Sequence, residues 1–184
     1  MKQNSSAILY CAFLMTIVII KPILTEIFQP SIKSKDDFCL VVPADYKTSI
    51  GTSESTGMTV WCGGTEAKYK GRKFKGNFWS SVTVTENHEK KYIQMTGCIN
   101  LSACDRLDPR DQGGQYDNNG DFIGVPSNSF CSNDQIYKAY VQLIEPANNR
   151  ACIRCCKNAE DCPTNNDRSG CMKAIPGEYS NCSQ

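Results

Sequence analysis

The side chains with the most chemical potential fall into a few groups, each with a competing structural explanation. Lys68, Lys70, Arg72, Lys73 and Lys75 put five cations into eight residues, interleaved with Tyr69 and Phe74 and followed by Phe78 and Trp79. Aromatic faces stack on sugar rings while cations hold sulfate, phosphate or carboxylate groups, so this stretch suits a glycan or anionic polymer, with Trp79 as the stacking platform. The alternative is a lysine-protected hairpin or edge strand that turns Phe74, Phe78 and Trp79 into the core. Asp105, Asp108, Asp111, Asp117, Asn119 and Asp121 supply hard oxygen donors of the kind Ca²⁺ takes. The run from Asp117 opens like an EF-hand loop but then fails, with Phe122 where glycine is required and Asn128 where the bidentate Glu belongs. Turn capping by Asp and Asn explains it more simply, and no metal site is expected.

His88 is the only histidine and sits between Glu86 and Glu89 in a polar stretch. No site that needs two imidazoles can exist here, and no Gly-x-Ser-x-Gly elbow accompanies the single one. A solvated turn is the reading for His88, and no catalytic set is expected. Convergent carboxylates from the acidic loop or Glu145 would be needed for a polysaccharide hydrolase, which is the alternative function. Two acceptor sequons, Asn100-Leu101-Ser102 and Asn181-Cys182-Ser183, mark Asn100 and Asn181 as N-glycosylation candidates in a secreted chain.

Twelve cysteines in 184 residues, with 20 basic and 19 acidic side chains, set the class. Near-neutral charge argues against a nucleic-acid partner, and no cofactor motif is present. Met1–Ser6 is polar with one cation, and the uncharged run Ala7–Ile20 is 14 residues, about 21 Å of helix. That length is a signal-peptide core rather than a membrane span, which needs roughly 20 residues. Residues 1–25 are therefore read as a signal peptide with cleavage after Thr25. The alternative is an uncleaved anchor in which Lys21 snorkels, the one route by which the chain would touch a membrane. Cleavage leaves 18 cations, 19 anions and 11 cysteines: Cys39, Cys62, Cys98, Cys104, Cys131, Cys152, Cys155, Cys156, Cys162, Cys171 and Cys182.

An odd count in an oxidising compartment implies up to five bridges and one thiol that is left over, buried, or joined to a second chain as a disulfide-linked dimer. The number of pairings is on the order of ten thousand, so spacing does not fix connectivity. Cys39 and Cys62 border apolar runs, which suits a bridge between neighbouring strands. The set Cys152, Cys155, Cys156, Cys162, Cys171 and Cys182 should bridge mostly within itself. Adjacent Cys155 and Cys156 point to opposite faces of an extended chain and should serve different partners. Zinc ligation by Cys152, Cys155, Cys162 and Cys171 is disfavoured because secretion favours disulfides over thiolates.

The elements that would position these groups read as strands. No segment after the signal carries a sustained helical period, while β-branched and aromatic runs predict strands at 38–42, 58–62, 78–85, 91–99, 137–145 and 150–155. In 137–145, Ala139, Val141 and Leu143 share one face and Lys138, Tyr140, Gln142 and Ile144 the other, which predicts a half-buried strand. Residues 100–133 are dense in Asp, Asn, Gly and Pro and read as one long loop, with Cys98, Cys104 and Cys131 placed to clip it. Residues 26–37 read as a flexible lead-in. Residues 38–184 read as one disulfide-rich domain, of which 156–184 form an irregular stapled tail. The expected fold is mainly β, a small disulfide-stapled sandwich or partly open barrel with long loops.

Several phrases together carry a resemblance: Phe38-Cys39-Leu40 through Pro43, Val60-Trp61-Cys62, Tyr92-Ile93-Gln94-Met95-Thr96-Gly97, Asp111 to Asp117, and Tyr140 to Pro146. The most specific is Cys152-Ile153-Arg154-Cys155-Cys156 followed by Asp161-Cys162-Pro163, Ser169-Gly170-Cys171 and Ile175-Pro176-Gly177. The chain resembles, over residues 38–179, a family of small secreted cysteine-rich fungal proteins without an assigned biochemical activity. The resemblance implies an effector-like or surface role and brings no catalytic residues; Cys98 and Cys104 are additions to its pattern. The resulting expectation is a secreted, disulfide-rich interaction protein acting on cell-wall polysaccharide or a host protein. Its contact surface would be Lys68–Trp79 or the loop around Asp111–Asp121. A structural wall component cross-linked through the odd cysteine is a further alternative.

Overall fold

The computed structural model describes residues 29–64, 72–89, 91–118, 131–133, 135–166, 168–180 and 182. Residues 1–25, expected to be a signal peptide, and Lys68, Lys70, Asn119, Asp121 and Asn181 lie outside these residues. Among the described residues eleven strands occur in chain order: β1 (Ser31–Ile32), β2 (Phe38–Pro43), β3 (Met58–Gly63), β4 (Arg72–Lys73), β5 (Trp79–Asn87), β6 (Tyr92–Ile99), β7 (Gly114–Asp117), β8 (Cys131–Asn133), β9 (Gln135–Tyr137), β10 (Ala139–Glu145) and β11 (Arg150–Cys156). Two short helices, α1 (Ile50–Thr56) and α2 (Cys171–Ala174), complete the set. The strands form a six-stranded sheet, β4-β3-β2-β1-β8-β9, and a five-stranded sheet, β5-β6-β11-β10-β7. The second sheet is antiparallel throughout; the first is antiparallel except for the β1–β8 and β3–β4 pairs. This is a mainly β, two-sheet arrangement and not a closed barrel.

The core between the sheets follows from alternation. Leu40 and Trp61 from the first sheet and Ile93, Met95, Tyr140, Ile144 and Ile153 from the second belong to one buried cluster. The outward residues of β10, Ala139, Val141 and Leu143, are buried as well, in a second cluster with Cys152, Cys156, Cys162, Cys171, Ala174 and Ile175. The expectation of a half-buried β10 is thereby corrected: all seven residues are buried. The physical reason is the tail, which packs Ala174 and Ile175 onto the sheet face that a two-layer reading leaves to solvent.

Gln142 lies on the inner face of β10 and is fully buried. Its Oε1 accepts the Val41 N–H at 2.9 Å and its Nε2 donates to the Val41 carbonyl at 2.7 Å. Val41 needs such a partner because β3 bonds β2 along one edge, while β1 pairs on the other only as far as Phe38 and Cys39. A side-chain amide from the opposite sheet completes the ladder where the short strand stops.

Disulfides lock the layers. Cys39–Cys62 joins directly opposed residues of β2 and β3. Cys131–Cys155 links β8 of one sheet to β11 of the other. Cys152–Cys171 and Cys156–Cys162 fasten the outer face of β11 to the tail, and Cys98–Cys182 ties β6 to its end. Alternation along β11 explains the division: Cys155 belongs to the inner cluster, whereas Cys152 and Cys156 belong to the outer one.

Two further expectations are corrected. The lead-in is not uniformly flexible, because Ser31 and Ile32 form a buried strand against β2. The long loop 100–133 is interrupted by β7, which pairs with β10, and by a 3-10 turn at Leu101–Ala103. Cys98 and Cys131, at the two ends of that stretch, are bridged to the tail and to β11, and Cys104 is free.

Candidate functional site

Phe74, Phe78 and Trp79 are core residues, with Trp79 only 8% exposed. Phe74 and Phe78 stack at 4.4 Å between ring centroids, and Trp79 meets Phe38 and Phe78 edge-on. Trp79 is therefore not a glycan platform: β5 starts at the sheet edge with its first side chain turned inward. Among the basic residues, Lys73 and Lys75 are exposed, and Arg72 lies on β4 in register with Trp61.

Among the described residues the exposed aromatic ring is instead Tyr46, at 59%. It sits in the link between β2 and α1. Two backbone bonds hold that link: Lys47 N–H to Asp105 C=O at 3.1 Å and Thr48 N–H to Arg106 C=O at 2.9 Å. Lys47 takes φ +48, a left-handed turn that costs a non-glycine residue energy. Its ammonium lies 5.4 Å from the Tyr46 ring centroid, and the Arg106 guanidinium lies 5.7 Å from the same centroid. Arg106 is itself oriented by Nη1 donating to Ala44 C=O at 3.1 Å and Nε donating to Asp105 Oδ1 at 2.7 Å. Lys75 Nζ completes the chain, donating to Asp105 Oδ2 at 2.6 Å.

The result is a fixed corner made of Tyr46, Lys47, Arg106, Asp105 and Lys75. Asp105 is held at about 2 by hydrogen bonds from Arg106 and Lys75. A carboxyl whose folded value is depressed adds stability above its unfolded value, near 4, and loses it as pH falls toward about 2. The charged corner thus persists through mildly acidic conditions. An exposed ring bordered by hydrogen-bond donors and a carboxylate can stack on a pyranose and bind its hydroxyls or an attached anion. Tyr46 carried little sequence signal, being a lone aromatic in a polar loop; Arg106 was hidden inside the acidic stretch.

The remaining candidate groups are engaged in structure. His88 is exposed in the β5–β6 turn, with Nδ1 3.7 Å from Glu86 Oε1. Asp108 binds Arg110. Asp111 accepts from the Ile50 N–H at 2.7 Å, at the start of α1, and from the Gly113 N–H at 3.1 Å. Asp117 accepts from Gln115 at 2.8 Å. Glu145 accepts from Arg150 and from the Cys171 N–H. Among the described residues no group of three His, Cys, Asp or Glu side chains is placed to hold a metal ion. Asn100 is exposed at the end of β6, and its Oδ1 accepts from the N–H and the hydroxyl of Ser102.

Cys104 is the free cysteine among the described residues, and it is 1% exposed. Burial pushes its thiol up to about 11, against backbone hydrogen bonds from Arg106 and Leu107 that pull it down. A protonated, enclosed thiol neither attacks a disulfide nor bridges a second chain. In folded protein at neutral pH, one thiol is therefore expected to stay unreactive toward Ellman's reagent and to react fully after denaturation. Fast labelling of native protein would contradict this placement.

No family model, curated protein or solved structure matches this chain. What fold and site define is a disulfide-stapled two-sheet β protein with a rigid tyrosine–cation corner. Among the described residues no helix is long and apolar enough to cross a membrane.

Proposed function

We propose that the chain is a secreted interaction protein that binds cell-wall polysaccharide through the Tyr46 corner, in the manner expected of the secreted cysteine-rich fungal proteins it resembles. The observation that carries this reading is the exposed Tyr46 ring, fixed on the 105–106 backbone and bordered by Lys47 and Arg106. Five disulfides fit an oxidising compartment. The exposed Asn100 sequon fits the same route through the secretory pathway. A hydrolase reading gains no support, because the described carboxylates it would use are each bound to structural partners.

The test is depletion of the purified protein from solution by insoluble chitin and β-glucan. Tyr46→Ala is expected to weaken binding roughly tenfold, equivalent to about 1.4 kcal/mol, and Lys73→Ala with Lys75→Ala to weaken it less. Binding to neither polymer, or binding indifferent to Tyr46, would refute the proposal.

A further inference from the structure

β5 is a long strand at the edge of the five-stranded sheet, running nine residues from Trp79 to Asn87. Among the described residues no strand pairs with its outer edge. Such an edge offers a row of unpaired backbone donors and acceptors, which folded proteins usually shorten, cover or charge. The other three edges follow that rule. β4 and β9 contain two and three residues. β7 is covered: its Gly114 lies against Ile50 of α1, Tyr116 bonds Ser53, and Gln115 bonds the Thr164 carbonyl.

Among the described residues β5 has none of these protections between Ser80 and Thr85. Ser80, Ser81, Thr83 and Thr85 are exposed, and Val82 and Val84 are half-buried against the inter-sheet core. No Lys, Arg or Pro occurs in the strand; Glu86, near its end, is its one charge. The bulge lies at the Trp79/Ser81 end and leaves regular pairing from Ser81 onward.

We propose that β5 pairs with β5 of a second copy of this chain, antiparallel about a two-fold axis through Thr83. That register is self-complementary. Val82 opposes Val84 of the other copy on the core face, Ser81 opposes Thr85 on the outer face, and Glu86 opposes Ser80. Shifting the axis by one residue sets Glu86 against Phe78 or Val82, which strands a carboxylate beside an apolar side chain. In the Thr83 register the valines extend the core across the axis, and opposed hydroxyl side chains line the other face, both favourable cross-strand pairs. The two five-stranded sheets become one continuous sheet, and no like charges meet. With 20 basic and 19 acidic side chains, or 18 and 19 after cleavage, the near-zero net charge gives two copies little long-range repulsion. The contact is isologous, as a closed two-fold dimer requires. It is also non-covalent, and so differs from a dimer joined through the odd cysteine.

Sedimentation equilibrium on the disulfide-intact protein tests this. The weight-average mass of the wild type is expected to rise with concentration toward twice the monomer mass. Thr83→Lys and Thr83→Glu, at an exposed position, should each remain monomeric with unchanged near-ultraviolet circular dichroism. Mixed in equal amounts, the two variants should recover the dimer, because Lys then opposes Glu at the axis. A wild type that stays monomeric at every concentration, a Thr83→Lys variant that associates as the wild type does, or a mixture that fails to recover the dimer would overturn the proposal.

Discussion

Replacing Gln142 with leucine is expected to lower the unfolding free energy by about 3 kcal/mol, although leucine fills a similar volume with a more apolar side chain. The loss arises on the other sheet. Val41 N–H and C=O are both bonded to the Gln142 amide, and Val41 is 1% exposed. Without that amide a buried donor and a buried acceptor lose their partners together, each at a cost of about 1–3 kcal/mol. Added apolar contact from leucine offsets part of this but supplies no hydrogen bond. Denaturant unfolding with the disulfides intact measures the effect, since small disulfide-bonded domains commonly unfold in one step. A change below about 0.5 kcal/mol, the range of an ordinary surface substitution, would show that Val41 finds other partners.

The second large effect is expected at Glu145, which pins the tail to the sheet. Its carboxylate accepts from Arg150 Nε at 3.0 Å, Arg150 Nη2 at 3.1 Å and the Cys171 N–H at 2.9 Å. Gly170, at φ +70, sits so close that a Cβ there would lie 2.7 Å from Glu145 Oε1. The Arg150 guanidinium continues outward to the Met172 sulfur at 3.0 Å and to the Tyr179 ring at 5.9 Å. Both members of the ion pair are mostly enclosed, with side chains 9% and 19% exposed. Arg150→Ala leaves the carboxylate buried without its counter-charge and should cost about 3 kcal/mol. Glu145→Ala with Arg150→Ala should cost less than the two single changes added together, because the double variant buries no unpaired charge. Hydrogen exchange gives the local readout: amides of residues 170–175 are expected to lose protection first in Arg150→Ala. Additive single and double variants would indicate that the pair contributes little beyond packing.

The sequence-readable part of this protein was its long strands. Runs such as Phe38-Cys39-Leu40-Val41-Val42 and Tyr92-Ile93-Gln94-Met95-Thr96 are β-branched or aromatic over enough residues to show a pattern. β1, β4, β8 and β9 contain two or three residues each, too few for any period, and exist because a neighbouring strand presents a free edge. α1 reads Ile50-Gly51-Thr52-Ser53-Glu54-Ser55-Thr56, a weak helix former. It is held by Ser49 at its N-cap, Asp111 from a distant loop and the buried Ile50 side chain. Gln142 shows a related limit: nothing in its own strand signals that its amide completes the backbone ladder of the opposite sheet at Val41.

The basic-aromatic segment shows the same limit on the functional side. Its cations and rings are adjacent in sequence, yet the chain turns Phe74, Phe78 and Trp79 inward and leaves Lys73 and Lys75 outside. The aromatic ring connected to Lys75 comes from residue 46, joined to it through Asp105 and Arg106. Such a constellation depends on tertiary pairing of the 44–48 and 104–107 segments, which carry no periodic signal.

Binding without turnover is the central claim, and a single incubation with insoluble chitin and β-glucan tests it when the supernatant is assayed for both protein and released reducing sugar. The expected result is protein depleted from the supernatant, depletion largely lost in Tyr46→Ala, and no sugar above the protein-free control. Sugar released in proportion to protein and abolished by a single carboxylate substitution, or depletion unchanged in Tyr46→Ala, would contradict it.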